Sequence, residues 1–204
     1  PTFTNAKSPS SIDVCKLQNS ASAAAVGGSG IVGFPLVNSN KHKIYQYSPF
    51  EKTLLLDTDY IVKNEFLLRS MAYEGVAMFN NAISARNETP HINEVLLYPG
   101  GIKMWWSTVV YFDRSEFSKM FFELWAHVAD NYEFYQFLYN FPNNLFRTDY
   151  CVSIAVHILN GMEEGDVVHN FDDQPMYYLS QKDDIVDVNN LIISAFRLLL
   201  IVFI

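Results

Sequence analysis

The chain is short of the signals that assign a protein quickly. Only two cysteines occur in 204 residues, Cys15 and Cys151. They form neither a metal-spaced motif nor a disulfide framework, which points to a reducing compartment, the cytoplasm. Charged residues make up 18% of the chain, and 14 Lys and Arg against 22 Asp and Glu leave a formal net charge of −8. No basic block stands out, so capture of nucleic acid or of an anionic membrane is disfavoured as the main role. There is no G-x-G-x-x-G and no Walker pattern. The GGSG at 27–30 sits in a small-residue stretch, SASAAAVGGSGIVG, that reads as a loop or linker. The start, PTFTNAKSPSSIDV, lacks a charged region followed by an apolar core, so no signal peptide is expected. It also lacks an initiator Met, as a processed or partial chain would.

Long apolar runs are missing as well. The longest, LIISAFRLLLIVFI at 191–204, has fourteen residues and is interrupted by Arg197. That is too short for an ordinary membrane span, so a membrane location is disfavoured. The tail reads as a buried helix or strand, with a tail anchor the lesser reading and an oligomer contact a further use of it.

What the chain does have is apolar and aromatic substance. It is 50% hydrophobic and 15% aromatic, with 16 Phe, 12 Tyr and 3 Trp, enough for one domain with a sizeable core. From residue 44 the pattern alternates between strand and helix. IYQY (44–47), TLLL (53–56), VAMFN (76–80) and STVVYF (107–112) read as strands, and EVLLYPGG (94–101) as a strand or turn ending in glycines. Asn64 is placed to cap a helix that ends at Gly75, and SARNETPHI (84–92) reads as a polar loop. Ser115 opens a helix whose apolar face is expected to carry Phe117, Met120, Phe121, Leu124, Trp125 and Val128. A second helix runs from Asp149 to Leu159 and stops at Asn160-Gly161. Such alternation predicts an α/β fold with a largely parallel sheet covered on both sides.

The most pointed chemistry lies in TLLLDTDYIV (53–62). A buried carboxylate is costly unless it is paired or binds a metal, yet Asp57 and Asp59 stand at the end of an apolar strand. Hard oxygen ligands at alternate positions suit Mg²⁺ or Mn²⁺, metals that bridge to phosphates. With 12 Asp in the chain about one D-x-D is expected by chance, so the placement carries the argument. In open α/β sheets ligands sit beyond the carboxyl ends of strands, where these two residues fall. A solvated turn with capping aspartates is the plainer alternative.

SPFEKTLLLDTDYIVKN (48–64) resembles the D-x-D segment of nucleotide-sugar glycosyltransferases of the GT-A fold, broadly the glycogenin-like family. The likeness extends through GGIKMWWSTVVYFDRSEFSKMFFELW (100–125) and FRTDYCVSIAVHILNG (146–161). It implies a single GT-A-like, Rossmann-like domain over 44–190, with a mixed, mostly parallel sheet. Residues 1–43 are then an atypical N-terminal segment and 191–204 an apolar tail. It implies a nucleoside-diphosphate sugar donor, an acceptor of unknown identity, and Mn²⁺ or Mg²⁺ held by Asp57 and Asp59, with His169 the available histidine ligand. Asp149 would lie beside the donor sugar, with N-capping of its helix as a compatible role. Lys103 and Arg147 would add positive charge near the phosphates. Trp106 or Trp105 would stack on a sugar or base, but adjacent strand residues face opposite ways, so only one of them can. The chain departs from the family in its first 43 residues, and WWSTVVYF stands where the family's F-N-[AS]-G-[VL] strand is expected. His157 reads as a satisfied core histidine and His127 as a surface one.

Two other readings remain open. A haloacid-dehalogenase-like phosphatase also places D-x-D after an apolar strand, with the first Asp as nucleophile. Ile61 stands where that pattern wants Thr or Val, and Lys182-Asp183-Asp184 would have to supply the later residues. Alternatively the chain is a truncated or inactive transferase-like binding domain.

Overall fold

The structure is a computed structural model, and it describes residues 13–17, 38–57, 67, 72–84, 96–97, 101–141, 146–171, 176–178 and 199–203. Eight strands occur among them: β1 (Asp13–Leu17), β2 (Lys52–Leu56), β3 (Val76–Phe79), β4 (Ala82–Ser84), β5 (Trp106–Asp113), β6 (His169–Asn170), β7 (Met176–Tyr178) and β8 (Leu199–Phe203). The helices are α1 (Ile44–Tyr47), α2 (Glu116–Asp130), α3 (Tyr132–Tyr139) and α4 (Thr148–Leu159), with a 3-10 helix at Asn38–Lys43. The chain is therefore mixed α/β.

Six strands form one mixed sheet in the order β1-β8-β2-β5-β3-β6, and β4 pairs with β7 in a second. The expected mostly parallel sheet is not what forms. Four of the five pairings in the large sheet are antiparallel, and only β3–β6 is parallel. β2 and β3 do run in the same direction. The long strand β5 inserts between them in the opposite sense, a long-range event that alternation along the chain does not encode. The described part of the apolar tail, residues 199–203, is a strand: β8 lies between β1 and β2 with both its edges paired.

Continuous burial explains why the inner strands lack alternation. Leu54, Leu55 and Leu56 of β2, all of β3 and Val109 to Phe112 of β5 are buried, as expected when both sheet faces are covered. IYQY, expected as a strand, is the short helix α1. Tyr45 there stacks on Phe122 (5.2 Å between centroids), and its carbonyl accepts from Arg114. Tertiary packing overrides the β propensity of Ile and Tyr at this point.

Ser115 caps α2 as expected, its side chain accepting from the Ser118 amide at 3.2 Å. The buried face is rotated from the expected one. Phe121, Phe122, Trp125 and Val128 go inside together with Ser118, while Met120 is about half exposed. The cause is Asp113 at the end of β5. Its Oδ1 accepts from the Ser118 hydroxyl at 2.8 Å and the Ser115 amide at 3.0 Å, and its Oδ2 accepts from the Gly75 amide at 2.8 Å. This carboxylate ties the start of α2 to the start of β3 and turns Ser118 inward. Gly75 and Gly161 both have positive φ, +85° and +76°, which suits glycine where a segment ends. The expected helix from Asn64 to Gly75 lies largely outside the described residues, as do the GGSG segment and most of the 84–92 loop.

Candidate functional site

β2 delivers Asp57 to its carboxyl end. β5 runs antiparallel beside it, so the start of β5 lies next to the end of β2. The Asp57 amide donates to the Thr108 carbonyl at 2.8 Å, one residue past the last pair, Leu56 with Val109. Trp106 and Ser107 therefore sit alongside Asp57. The first turn of α4 packs on the same spot. Asp149 Oδ1 accepts from the Ser107 amide at 2.9 Å and from the Ser107 hydroxyl at 2.8 Å. One turn on, the Ser153 hydroxyl donates to the Asp149 carbonyl at 2.6 Å and accepts from the Trp105 amide at 2.8 Å. These bonds dock α4 onto β5.

Asp149 was a candidate N-cap, and it does not cap this helix. Arg147 holds the N-cap position and makes no side-chain cap bond, while the Asp149 carboxylate turns sideways to Ser107 and Arg147. Asp149 Oδ2 accepts from an Arg147 guanidinium nitrogen at 3.3 Å. Burial works against the Arg147 charge, but Asp149 and Tyr150 together outweigh it and hold the guanidinium pKa above its ordinary value. Arg147 lies 4.9 Å from the centroid of the Tyr150 ring and 5.9 Å from that of Trp106, within cation–π range. Its amide donates to the Tyr132 hydroxyl at 3.1 Å, which anchors the backbone.

A residue with no sequence signal completes the cluster. Lys41, in the 3-10 helix, places Nζ 2.5 Å from Asp57 Oδ1 and 3.5 Å from the Ser107 carbonyl. The Lys41 side chain is 3% exposed, against 24% for Asp57. A buried ammonium needs such a partner. The result is a continuous polar chain, Asp57–Lys41–Ser107–Asp149–Arg147, with two carboxylates and two cations. Four distant parts of the sequence meet in it.

The other predicted residues fall differently. Trp106 is 9% exposed, with its ring stacked on Tyr178 (6.1 Å, 18°), so it braces Arg147 and offers little open face to a ligand. Its buried Nε1 has no hydrogen-bond partner among the described residues. Lys103 is exposed and lines a cleft of about 430 Å³ with Trp105, Ser153, His157 and Glu163. His169 is remote from Asp57. β6 is separated from β2 by β3 and β5, about 14 Å at ordinary strand spacing. The row through His169 also crosses β2 at Leu54, three residues short of Asp57. His169 is exposed and stacks on Tyr73 (4.8 Å). It does not join Asp57, and the strand order, unreadable from sequence, is the reason. His157 is satisfied by Tyr139, 3.0 Å from hydroxyl to Nδ1, and His127 is on the surface.

Asp59 lies outside the described residues, as do Ile61 and Lys182-Asp183-Asp184 of the phosphatase reading. Among the described residues no group of three His, Cys, Asp or Glu is placed to hold a metal. The donor chemistry of the D-x-D nevertheless fits a hard divalent cation, and the Asp57 carboxylate keeps a solvent-facing side. Cys151 is no nucleophile. Burial, and then the Asp149 charge, push its thiol up to about 12. No helix among the described residues is long and apolar enough to cross a membrane. Comparison of the chain with family models, with curated proteins and with solved structures finds no match.

Proposed function

We propose that this chain is a GT-A-like glycosyltransferase domain that takes a sugar from a nucleoside-diphosphate donor, assisted by Mn²⁺ or Mg²⁺. One observation carries the reading. Asp57, from the D-x-D, and Asp149, the acidic residue singled out downstream, are linked through Lys41 and Ser107 at the carboxyl end of β2. Ligands of α/β sheets bind at such strand ends.

Asp57 and Asp59 would hold the cation. When bound, it would act as Lewis acid and template, offsetting charge on the departing diphosphate. The chain's own residues supply the rest. Lys41 and Arg147 set positive charge on either side of Ser107, with Arg147 the more open to a phosphate at 32% exposure against 3% for Lys41. Two bonds from Ser107 and one from Arg147 fix the Asp149 carboxylate, which retains 17% exposure toward a sugar hydroxyl or a developing oxocarbenium charge. Trp106 and Tyr178 support Arg147 from behind. The donor is the expected partner, the acceptor is open, and the scarcity of cysteine supports a cytoplasmic setting.

The test is a thermal-shift and calorimetric screen of UDP and GDP with and without Mn²⁺, followed by hydrolysis of a panel of sugar nucleotides. Metal-dependent binding, lost in Asp59→Asn, is expected. Absence of Mn²⁺-dependent binding to any nucleoside diphosphate overturns the reading in favour of a binding domain. Turnover of a simple phosphomonoester without sugar nucleotide would favour the phosphatase.

A further inference from the structure

The cleft of about 430 Å³ at Lys103 follows α4 from Ser153 to Asn160 and takes no part in the transfer proposed for Asp57 and Asp149. Its volume is that of an ordinary small-molecule site. Both of its walls are fixed. On one side the Leu97 amide donates to the Ile102 carbonyl at 2.8 Å, and Leu96 bridges Lys103. On the other, the chain turns back from α4 through Gly161 (φ +76°) and Met162 (φ +63°), an uncommon conformation for a non-glycine residue. Asn160 clamps this turn. Its Nδ2 donates to the Val156 carbonyl at 3.1 Å, and its Oδ1 accepts from the Val167 amide at 3.3 Å. Gly165 passes so close that a Cβ there would stand 2.3 Å from Asn160 Oδ1.

The polar groups on these walls lack partners. Trp105 lines the cleft and is only 5% exposed, yet its indole N–H has no acceptor among the described residues. Unlike the Trp106 nitrogen, it is not sealed from solvent. A nearly buried donor calls for an acceptor, and the cleft is where one can arrive. Lys103 is exposed and has no carboxylate partner among the described residues. Glu163, Glu164 and Asp166 line the opposite loop, exposed and without a cationic partner among those residues.

We propose that this cleft binds a small organic dication that also carries a carboxylate, the chemistry of a free basic amino acid. Carboxylates only accept hydrogen bonds, so Glu163, Glu164 and Asp166 require N–H donors from the ligand. Two ammonium or guanidinium groups supply them as charge-assisted bonds, the stronger kind. Lys103 and the Trp105 N–H only donate, and the ligand carboxylate answers both. Three carboxylates against one ammonium match a ligand with two positive charges and one negative. A neutral sugar would leave both signs of charge unanswered. A bare metal ion fits less well, because no three of the described His, Cys, Asp or Glu residues are grouped to hold one. The chain's net charge of −8 favours the approach of a cation. Such a site needs neither nucleotide nor metal.

Isothermal titration of the full chain with L-lysine, L-arginine and cadaverine at low ionic strength is the test. A Kd below about 1 mM is expected for both amino acids. The double variant Glu163→Gln/Asp166→Asn should weaken lysine and cadaverine alike, by at least about threefold. Lys103→Met should weaken lysine about threefold and leave cadaverine, which has no carboxylate, no weaker. All three substituted side chains are exposed, so circular dichroism should not change. No binding of either amino acid at ~10 mM overturns the proposal. So does a double variant that binds lysine like wild type, a Lys103→Met variant that does the same, or binding of D-glucose where lysine fails.

Discussion

Replacing Asp57 by Asn is the natural test of the D-x-D, and on sequence alone it should spare the fold. The structure predicts otherwise. Asp57 is the counter-charge of Lys41, whose side chain is 3% exposed with Nζ 2.5 Å from the carboxylate. Removing one partner of a buried ion pair is destabilising by about 3–5 kcal/mol, because the other charge is stranded. Asp57 keeps 24% exposure, so solvent screens part of the pair, and a loss of roughly 2–4 kcal/mol is expected for Asp57→Asn. The effect is asymmetric. Lys41→Met leaves a carboxylate that water can reach and fills the space of the lysine stem, so about 1–2 kcal/mol is expected. In the double variant no charge is stranded. It should be more stable than Asp57→Asn alone, with a coupling of about 2 kcal/mol between the sites. Urea unfolding of the four proteins measures all three quantities, with constant slopes as the check on two-state behaviour. The reasoning is refuted if Asp57→Asn stays within about 0.5 kcal/mol of wild type, or if the two single effects simply add. The practical consequence is that loss of nucleotide binding in Asp57→Asn alone does not isolate metal binding. Asp59→Asn is the cleaner probe.

Asp113 links stability to acid. Burial raises its pKa, but hydrogen bonds from Gly75, Ser115 and Ser118 outweigh this and hold it below the ordinary 3.8. A carboxyl whose folded pKa is depressed stabilises above its unfolded pKa and loses that contribution as pH falls through the folded one. Asp113→Asn should therefore cost about 1–2 kcal/mol at pH 5 in urea unfolding, and the gap from wild type should close as pH is lowered through and below about 3.8. Gly75→Ala should destabilise by more than about 1 kcal/mol, since φ is +85° and the added Cβ would stand 3.0 Å from Phe117 Cδ1; an unchanged urea midpoint would contradict this. Cys151, buried and pushed up to about 12, should resist Ellman's reagent at pH 8 in the native state and react on unfolding, with the modified site assigned by mass spectrometry.

Several elements were legible in the residues themselves. TLLL, VAMF and STVVYF form strands as read, Ser115 caps the helix that follows, and the helix over 148–159 ends where Asn160-Gly161 predicts. Each of these signals is local: an apolar run, a cap, a glycine tolerant of positive φ. The misreadings share one cause. IYQY became helical because Tyr45 packs on Phe122, the apolar face of α2 turned because Asp113 draws Ser118 inward, and the sheet became mostly antiparallel because β5 entered between β2 and β3.

The same division runs through the candidate site. Sequence alone determined that Asp57 stands at the end of a buried strand and needs a counter-charge or a ligand, because desolvating a carboxylate is costly in any fold. Only the tertiary structure decided that Lys41 supplies that charge and that Ser107 and Arg147 orient Asp149. It also decided that His169 lies elsewhere. Those outcomes depend on which strands pair and in which direction, and strand pairing is settled by contacts between residues far apart in the chain.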